Sequence, residues 1–194
     1  TAIFYSISNT QPGLRGVSFG DSLIKRVVEA LKADFPRLKT FATLSPVPGF
    51  RGWLELHAGA MLDRLDEKAR AELGRALGVS RPGARELLDA ANRMPAPDVA
   101  PALRQMLLRC AAHYLGQALI EGRPADPVAR FHLGNGARVE RINWAGDPSA
   151  KGVRQSYGMM VNYLYDLKRM DKHRAMLAQG KIPVASAIEA LRFG

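Results

Sequence analysis

Residues 1–44 decide the fold, because they contain two short apolar segments, TAIFYSIS at 1–8 and TFATL at 40–44. Both are rich in β-branched and aromatic residues, as buried strands usually are. Between them an apolar stripe with helical spacing predicts a helix, which either Asp21 or Ser22 could cap at its N-terminus. A strand–helix–strand unit of this length favours a parallel pairing of the two strands.

The rest of the chain alternates helical and extended patterns. Residues 50–123 are predicted to be almost entirely helical, as an insert of about 51–123. Beyond it, Asn135-Gly136 predicts a hairpin turn that joins strands at 131–133 and 138–144. A further strand is predicted at 159–165 and one or two helices at 171–192. The predicted fold class is α/β (α+β), a mixed sheet with flanking helices.

Composition limits the possible functions. The chain has 194 residues, of which 47% are hydrophobic and 24% charged, and this balance excludes a disordered polymer. No apolar run approaches the roughly 18 residues that span a bilayer. The single Cys110 excludes an internal disulfide framework and fits a reducing compartment.

The net charge is the unusual feature of the composition. The 28 Lys and Arg residues outnumber the 18 acids, which gives a charge of +10. Such a charge favours anionic partners, although Arg-rich composition also arises from genomic base content. A nucleic-acid-binding module is the alternative that this charge raises. No basic surface interleaved with aromatic residues and no nucleic-acid-binding motif supports it.

The segment at 9–20 is a candidate phosphate-binding loop. It contains Gly13, Gly16 and Gly20 together with Arg15, and it lies between a predicted strand and a predicted helix. Glycines allow backbone N–H groups to approach a pyrophosphate, and a helix N-terminus adds partial positive charge. The glycine spacing fits neither the P-loop nor the dinucleotide-binding fingerprint. A flexible strand-to-helix turn without a ligand is the alternative.

Ser45 and His132 are the polar candidates for chemistry. Ser45 ends the second strand and is held by prolines at 46 and 48, while His132 lies beside the predicted hairpin turn. Either residue could instead have no part in chemistry. Ser45 could simply cap a turn, and His132 could be a hairpin residue without a role. The other histidines are expected to be structural (His113) or solvated (His57 and His173). No histidine or cysteine spacing predicts a metal site.

Several segments together resemble the malonyl-CoA decarboxylase family. They are TAIFYSIS at 1–8, GLRGV at 13–17, LIKRVV at 23–28, LSPVPGF at 44–50, FHLGNGA at 131–137 and RINW at 141–144. The resemblance extends from residue 1 to about 165, and it is looser in the helical part.

This resemblance implies an acetyltransferase-like fold in which pantetheine inserts between strands 2–8 and 40–45. It places the family's catalytic serine, histidine and tyrosine at Ser45, His132 and Tyr165. The CoA-binding positions that it implies are Arg15, Gly16, Val17, Ser18, Phe19, Gly20 and Asp21. Some members carry Glu where this chain has Ser18, so the role of that Glu is not transferred.

The implied function is decarboxylation of malonyl-CoA to acetyl-CoA and CO2 without a metal or an organic cofactor, and with it a part in fatty-acid metabolism. An acyl-CoA-dependent N-acetyltransferase is the alternative enzyme. Residues 1–194 are expected to form part of one catalytic domain, with earlier strands and an N-terminal helical domain absent. The resemblance further implies a homo-oligomer without nucleic-acid or membrane partners. The Arg-rich composition and a C-terminus without a peroxisomal signal favour a bacterial cytoplasmic enzyme.

Overall fold

A computed structural model describes residues 1–5, 20–94 and 99–193. The strands are β1 (Ala2–Phe4), β2 (Phe41–Thr43), β3 (Ser45–Pro46), β4 (Leu119–Ile120), β5 (Arg123–Pro124), β6 (Arg138–Asn143) and β7 (Met160–Leu164). The helices are α1 (Gly20–Asp34), α2 (Phe50–Leu62), α3 (Glu67–Leu77), α4 (Ala84–Asn92), α5 (Pro101–Gly116), α6 (Pro127–Gly134), α7 (Ala150–Ser156), α8 (Met170–Ala178) and α9 (Ser186–Glu189).

A mixed sheet forms the centre of the molecule. β1 and β2 pair in parallel, with Ala2 opposite Phe41, as the strand–helix–strand pattern predicts. β7 runs antiparallel to β2, β3 and β6, so it joins the N-terminal strands to the C-terminal half of the chain. The predicted mixed α/β class is therefore confirmed.

Helix α1 connects the two parallel strands and packs its apolar face inward. Val28 is fully buried and Ile24 nearly so. The predicted cap at Asp21 or Ser22 is wrong, because the helix already begins at Gly20 and both residues lie in its first turn.

Helices α2 to α5 form a layer of their own, and the prediction of helices over most of 50–123 is confirmed as far as Gly116. Their packed faces meet in a core that includes Leu54, Leu73, Leu87 and Leu107. Asp66 caps α3 by accepting a hydrogen bond from the Ala69 N–H at 2.7 Å. A short antiparallel hairpin of β4 and β5 follows α5.

The predicted strand at 131–133 is wrong, because these residues belong to helix α6. Asp126 caps this helix and Pro127 occupies its first turn, two signals that favour a helix start. Asn135-Gly136 ends the helix instead of joining two strands. Gly136 has a φ of +82°, a left-handed conformation that glycine adopts without strain.

The C-terminal predictions hold in outline. Strands β6 and β7 and helices α8 and α9 lie where the sequence indicates them.

Two histidines that were expected to be solvated are not. His173 is buried, and its Nδ1–H donates to the Gly136 carbonyl at 3.0 Å. His57 is half-buried, and its ring stacks on that of Trp53 with centroids 4.6 Å apart.

Within the described ranges no helix is long and apolar enough to cross a bilayer.

Candidate active site

Ser45 occupies a fixed, buried position at the start of β3. It is only 5% exposed and pairs with Val161 of the antiparallel β7. Pro46 and Pro48 follow it, and each proline ring restricts its own backbone φ. The backbone that follows the serine is therefore restricted, and the pairing with β7 fixes the serine itself.

His132 brings the three predicted catalytic side chains into one hydrogen-bonded chain. Its Nε2 lies 3.3 Å from the Ser45 Oγ, although the two residues are 87 positions apart. Its Nδ1 lies 2.7 Å from the Tyr165 hydroxyl, just beyond the end of β7. Each nitrogen of the imidazole thus has one hydroxyl partner.

Thr43 extends this chain and is a residue that sequence reasoning missed. The Ser45 hydroxyl lies 2.9 Å from the Thr43 Oγ1, which also accepts a hydrogen bond from the Tyr163 N–H at 3.1 Å. Thr43 is completely buried. The signal was available, because residues two apart along an extended segment point to the same face.

Burial keeps the His132 imidazole uncharged near neutral pH. Only 4% of the residue is exposed, and desolvation lowers the pKa of the ring to about 4. A neutral imidazole has one N–H donor and one acceptor nitrogen. If Nε2 carries the hydrogen, it donates to Ser45 while Nδ1 accepts from Tyr165; the other tautomer reverses both bonds. The arrangement can therefore pass a proton along the chain.

Aromatic rings fix the plane of the imidazole. Tyr163 stacks on one face of His132 with ring centroids 4.6 Å apart, and Phe131 meets the ring edge-on at 5.1 Å. The Tyr163 hydroxyl is buried and has no hydrogen-bond partner among the described residues. The side chain of Tyr163 therefore contributes its ring surface to the site.

The predicted CoA-binding positions fall at the edge of the described structure. Arg15, Gly16, Val17, Ser18 and Phe19 lie outside the described residues. Gly20 and Asp21 are the first two residues of α1. The part of the predicted crevice between strands 2–8 and 40–45 that follows Tyr5 also lies outside. The last described contact there joins the Leu44 N–H to the Phe4 carbonyl at 3.1 Å.

Among the described residues, no group of three or more His, Cys, Asp or Glu side chains is arranged to hold a metal ion. The described part of the site contains a hydrogen-bonded chain of hydroxyl groups and one imidazole.

The family model of the malonyl-CoA decarboxylase C-terminal domain matches residues 1–192. The chain belongs to the malonyl-CoA decarboxylase family. It is 42% identical over 175 residues to the mitochondrial malonyl-CoA decarboxylase of Anser anser anser, covering 87% of this chain and 35% of the goose protein. It is also 42% identical to the Rattus norvegicus enzyme over 177 residues, covering 86% and 35% of the two chains.

Solved structures of bacterial family members share the fold. The malonyl-CoA decarboxylase of Cupriavidus metallidurans matches with a TM-score of 0.86 and 48% identity, covering 97% of this chain and 47% of that one. The Agrobacterium vitis enzyme matches with a TM-score of 0.78 and 46% identity, covering 97% and 44%. This chain of the malonyl-CoA decarboxylase family thus spans less than half the length of these solved relatives.

Proposed function

We propose that this chain carries the catalytic site for converting malonyl-CoA to acetyl-CoA and CO2. The observation that carries the proposal is the hydrogen-bonded chain of Ser45, His132 and Tyr165. Membership of the malonyl-CoA decarboxylase family supports the substrate. The proposal does not require a metal or an organic cofactor, because the thioester carbonyl of the substrate accepts the electron pair.

The reaction breaks one carbon–carbon bond and forms one carbon–hydrogen bond. The electron pair of the bond between Cα and the carboxylate moves into the thioester and forms an enolate, while CO2 leaves. Donors aimed at the enolate oxygen each stabilise such charge by about 3–4 kcal/mol. The Ser45 hydroxyl is suited to this task once it turns its single hydrogen from the Thr43 Oγ1 to the enolate oxygen, since its position is fixed on β3 beside the His132 ring.

The enolate then takes one proton at Cα. A neutral imidazole delivers it as a relay: Nε2–H passes its proton to Cα while Nδ1 takes one from the Tyr165 hydroxyl. The resulting tyrosinate takes a proton from water, which supplies the one proton that the overall reaction consumes, and the reverse shift through the ring restores the first tautomer. A malonyl carboxylate bound beside the ring would add an anion there, and an adjacent anion favours the protonated imidazole. Desolvation and the substrate charge therefore act on the pKa of His132 in opposite directions.

The CoA moiety is assigned to the N-terminal end of α1. Residues Arg15 to Phe19 precede this helix, and Gly20 and Asp21 begin it. A helix of 15 residues presents free backbone N–H groups and partial positive charge at its start, which suit a pyrophosphate. The net charge of +10 also favours an anionic substrate.

We propose that the site belongs to one catalytic domain of an oligomeric bacterial enzyme. Residues 1–194 form part of one catalytic domain, with α2 to α5 as the helical insert between β3 and β6. The enzyme acts as a homo-oligomer in the bacterial cytoplasm; family resemblance supports the oligomer, and the identity to bacterial relatives supports the source.

Incubation of the full-length protein with malonyl-CoA and no amine acceptor tests the proposal. Mass spectrometry should show acetyl-CoA and CO2 accumulating in equal amounts, and treatment with a chelator should leave the rate unchanged. An N-acetyltransferase would instead consume acyl-CoA only when an amine is supplied. Malonyl-CoA that remains intact with a folded preparation of the full-length protein would contradict the proposal.

A further inference from the structure

Ser45 and His132 lie on separate elements, so the distance between them depends on the contacts that join those elements. Ser45 belongs to β3, and His132 lies near the C-terminal end of α6. Asp126, at the start of α6, makes hydrogen bonds to both parts of the chain. It is fully buried, which is unusual for a carboxylate unless its oxygens are paired.

The first carboxylate oxygen of Asp126 caps the histidine helix. Its Oδ1 accepts the N–H groups of Val128 and Ala129, each at 2.9 Å. Two free backbone donors of α6 are thereby satisfied, and the helix start is fixed.

The second oxygen reaches the segment that follows the serine. Asp126 Oδ2 accepts the Gly49 N–H at 3.4 Å and the Tyr114 hydroxyl at 3.3 Å. Gly49 is four residues beyond Ser45 and is the N-cap of α2. A side chain at position 49 would collide with the Tyr114 hydroxyl, so glycine permits this close approach.

A capping role alone does not account for a buried carboxylate at this position. Asn and Ser cap helices about as well as Asp and avoid the cost of desolvating a charge. Burial raises the pKa of Asp126, and the hydrogen bonds it accepts oppose that shift. The property that only the carboxylate supplies is a second acceptor oxygen.

We infer that Asp126 is a positioning residue for the reaction, joining the Gly49 turn to helix α6 and so holding Ser45 and His132 in register. The inference rests on the proposed function for its kinetic consequence. It assigns no contact between Asp126 and the substrate.

Two substitutions separate the joining role from the capping role. Asp126→Asn keeps an oxygen for the cap and places an amide donor toward the Gly49 N–H and the Tyr114 hydroxyl. Asp126→Ser keeps a capping oxygen and is too short for the second contact. The matched control is Asp66→Asn, since Asp66 caps α3 in the same way at an exposed position.

In the full-length protein, both Asp126 variants should lower kcat by about 10- to 100-fold with KM changed less than about threefold, because small misplacement of reacting groups is costly. Asp66→Asn should stay within about twofold of the parent in both constants. A folded Asp126→Asn protein with near-normal kcat, or one whose loss lies wholly in KM, would overturn the inference. Failure of both Asp126 variants to fold would also overturn it, since the carboxylate would then serve the fold itself.

A readout that does not depend on activity separates this inference from the proposed function. The ¹⁵N chemical shifts of the His132 ring report its tautomer and hydrogen bonds, and they should change in both Asp126 variants and not in Asp66→Asn. If the parent protein fails to decarboxylate malonyl-CoA, the function is wrong while these shifts still test the positioning. If the parent protein is active and the His132 ring shifts are unchanged in the Asp126 variants, the positioning role is wrong while the proposed function stands.

Discussion

The ring of His132 stacks on the ring of Tyr163, with centroids 4.6 Å apart and planes inclined by 24°. The same Tyr163 donates its backbone N–H to Thr43, which holds the Ser45 hydroxyl. One residue of β7 therefore contacts both halves of the candidate site, through its ring on one side and its backbone on the other.

Ser45→Ala and His132→Asn should each lower turnover by about 10²–10⁴-fold and leave CoA affinity largely intact, as expected for proton-transfer groups. If the two act as a unit, the double variant should lose less than the product of the single losses. The measurement is steady-state turnover of malonyl-CoA, with Ser186→Ala as an exposed serine control. Near-normal turnover in either single variant would refute the assignment.

Tyr165→Phe should lower turnover while keeping the fold. The substitution retains the ring and removes the hydroxyl that lies 2.7 Å from the His132 Nδ1. We expect a loss of at least about tenfold if this hydroxyl supplies the relayed proton. Tyr157→Phe, which removes a buried hydroxyl elsewhere, is the matched control and should remain within about twofold. Equal turnover in the two variants would exclude the relay through Tyr165.

Thr43→Val should weaken both the site and the fold. Valine has the same shape but lacks the hydroxyl, so the buried Tyr163 N–H loses its partner at a cost of about 1–3 kcal/mol. Turnover should fall by about tenfold as Ser45 loses its second hydrogen bond. Thr43→Ser should restore turnover. The measurements are thermal unfolding and steady-state kinetics of Thr43→Val and Thr43→Ser. A Thr43→Ser protein as slow as Thr43→Val would show that loss of the hydroxyl does not cause the fall in turnover.

Acid should destabilise the protein through His132. The unfolded chain protonates this ring near 6.5, whereas burial lowers the pKa in the folded chain to about 4. The neutral ring therefore makes its full contribution to the free energy of unfolding above pH 6.5, and this contribution is lost as the pH falls from 6.5 to 4. At about 1.4 kcal/mol per pKa unit it amounts to about 3 kcal/mol.

Denaturant unfolding at pH 7 and pH 4 should show this loss in the parent protein and a smaller one in His132→Asn. The comparison is needed because burial also lowers the pKa values of His113 and His173. Identical pH dependence in the two proteins would contradict the prediction.

Gly136→Ala should destabilise the end of α6 by about 2–4 kcal/mol. The left-handed backbone disfavours any Cβ, and here that atom would lie 2.8 Å from the Met170 Cβ. Gly78→Ala is the control, because Gly78 has a similar φ of +72° and open space around it; it should cost only about 1–2 kcal/mol. Equal losses in the two variants would show that the contact with Met170 is unimportant.

The sequence predicts the elements whose signals are local. The apolar segments at 2–8 and 40–44 indicate the parallel pair, and the apolar stripes indicate α2 to α5. Helix α6 is not predicted because Asn135-Gly136 is interpreted as a hairpin turn, although a left-handed glycine serves a helix end as well as a hairpin.

The supporting contacts of the site could not be predicted in this way. Asp126 meets Gly49 across 77 residues, and Tyr163 meets Thr43 across 120. Neither spacing follows a helical or strand period, so only the folded chain brings these groups together. Ser45 and His132 were singled out because residue type and family resemblance mark them. Their proximity is a property of the sheet and of α6.

The place of β7 in the sheet has a consequence during synthesis of the chain. One edge of β2 pairs with β1, and the other edge pairs with β7, which the ribosome synthesises 120 residues later. At roughly 5–20 residues per second that interval lasts about 6–24 seconds. During it the nascent protein exposes an apolar strand edge that includes Phe41 and Ala42, and such edges template aggregation. The risk of aggregation through β2 should therefore be highest before β7 emerges.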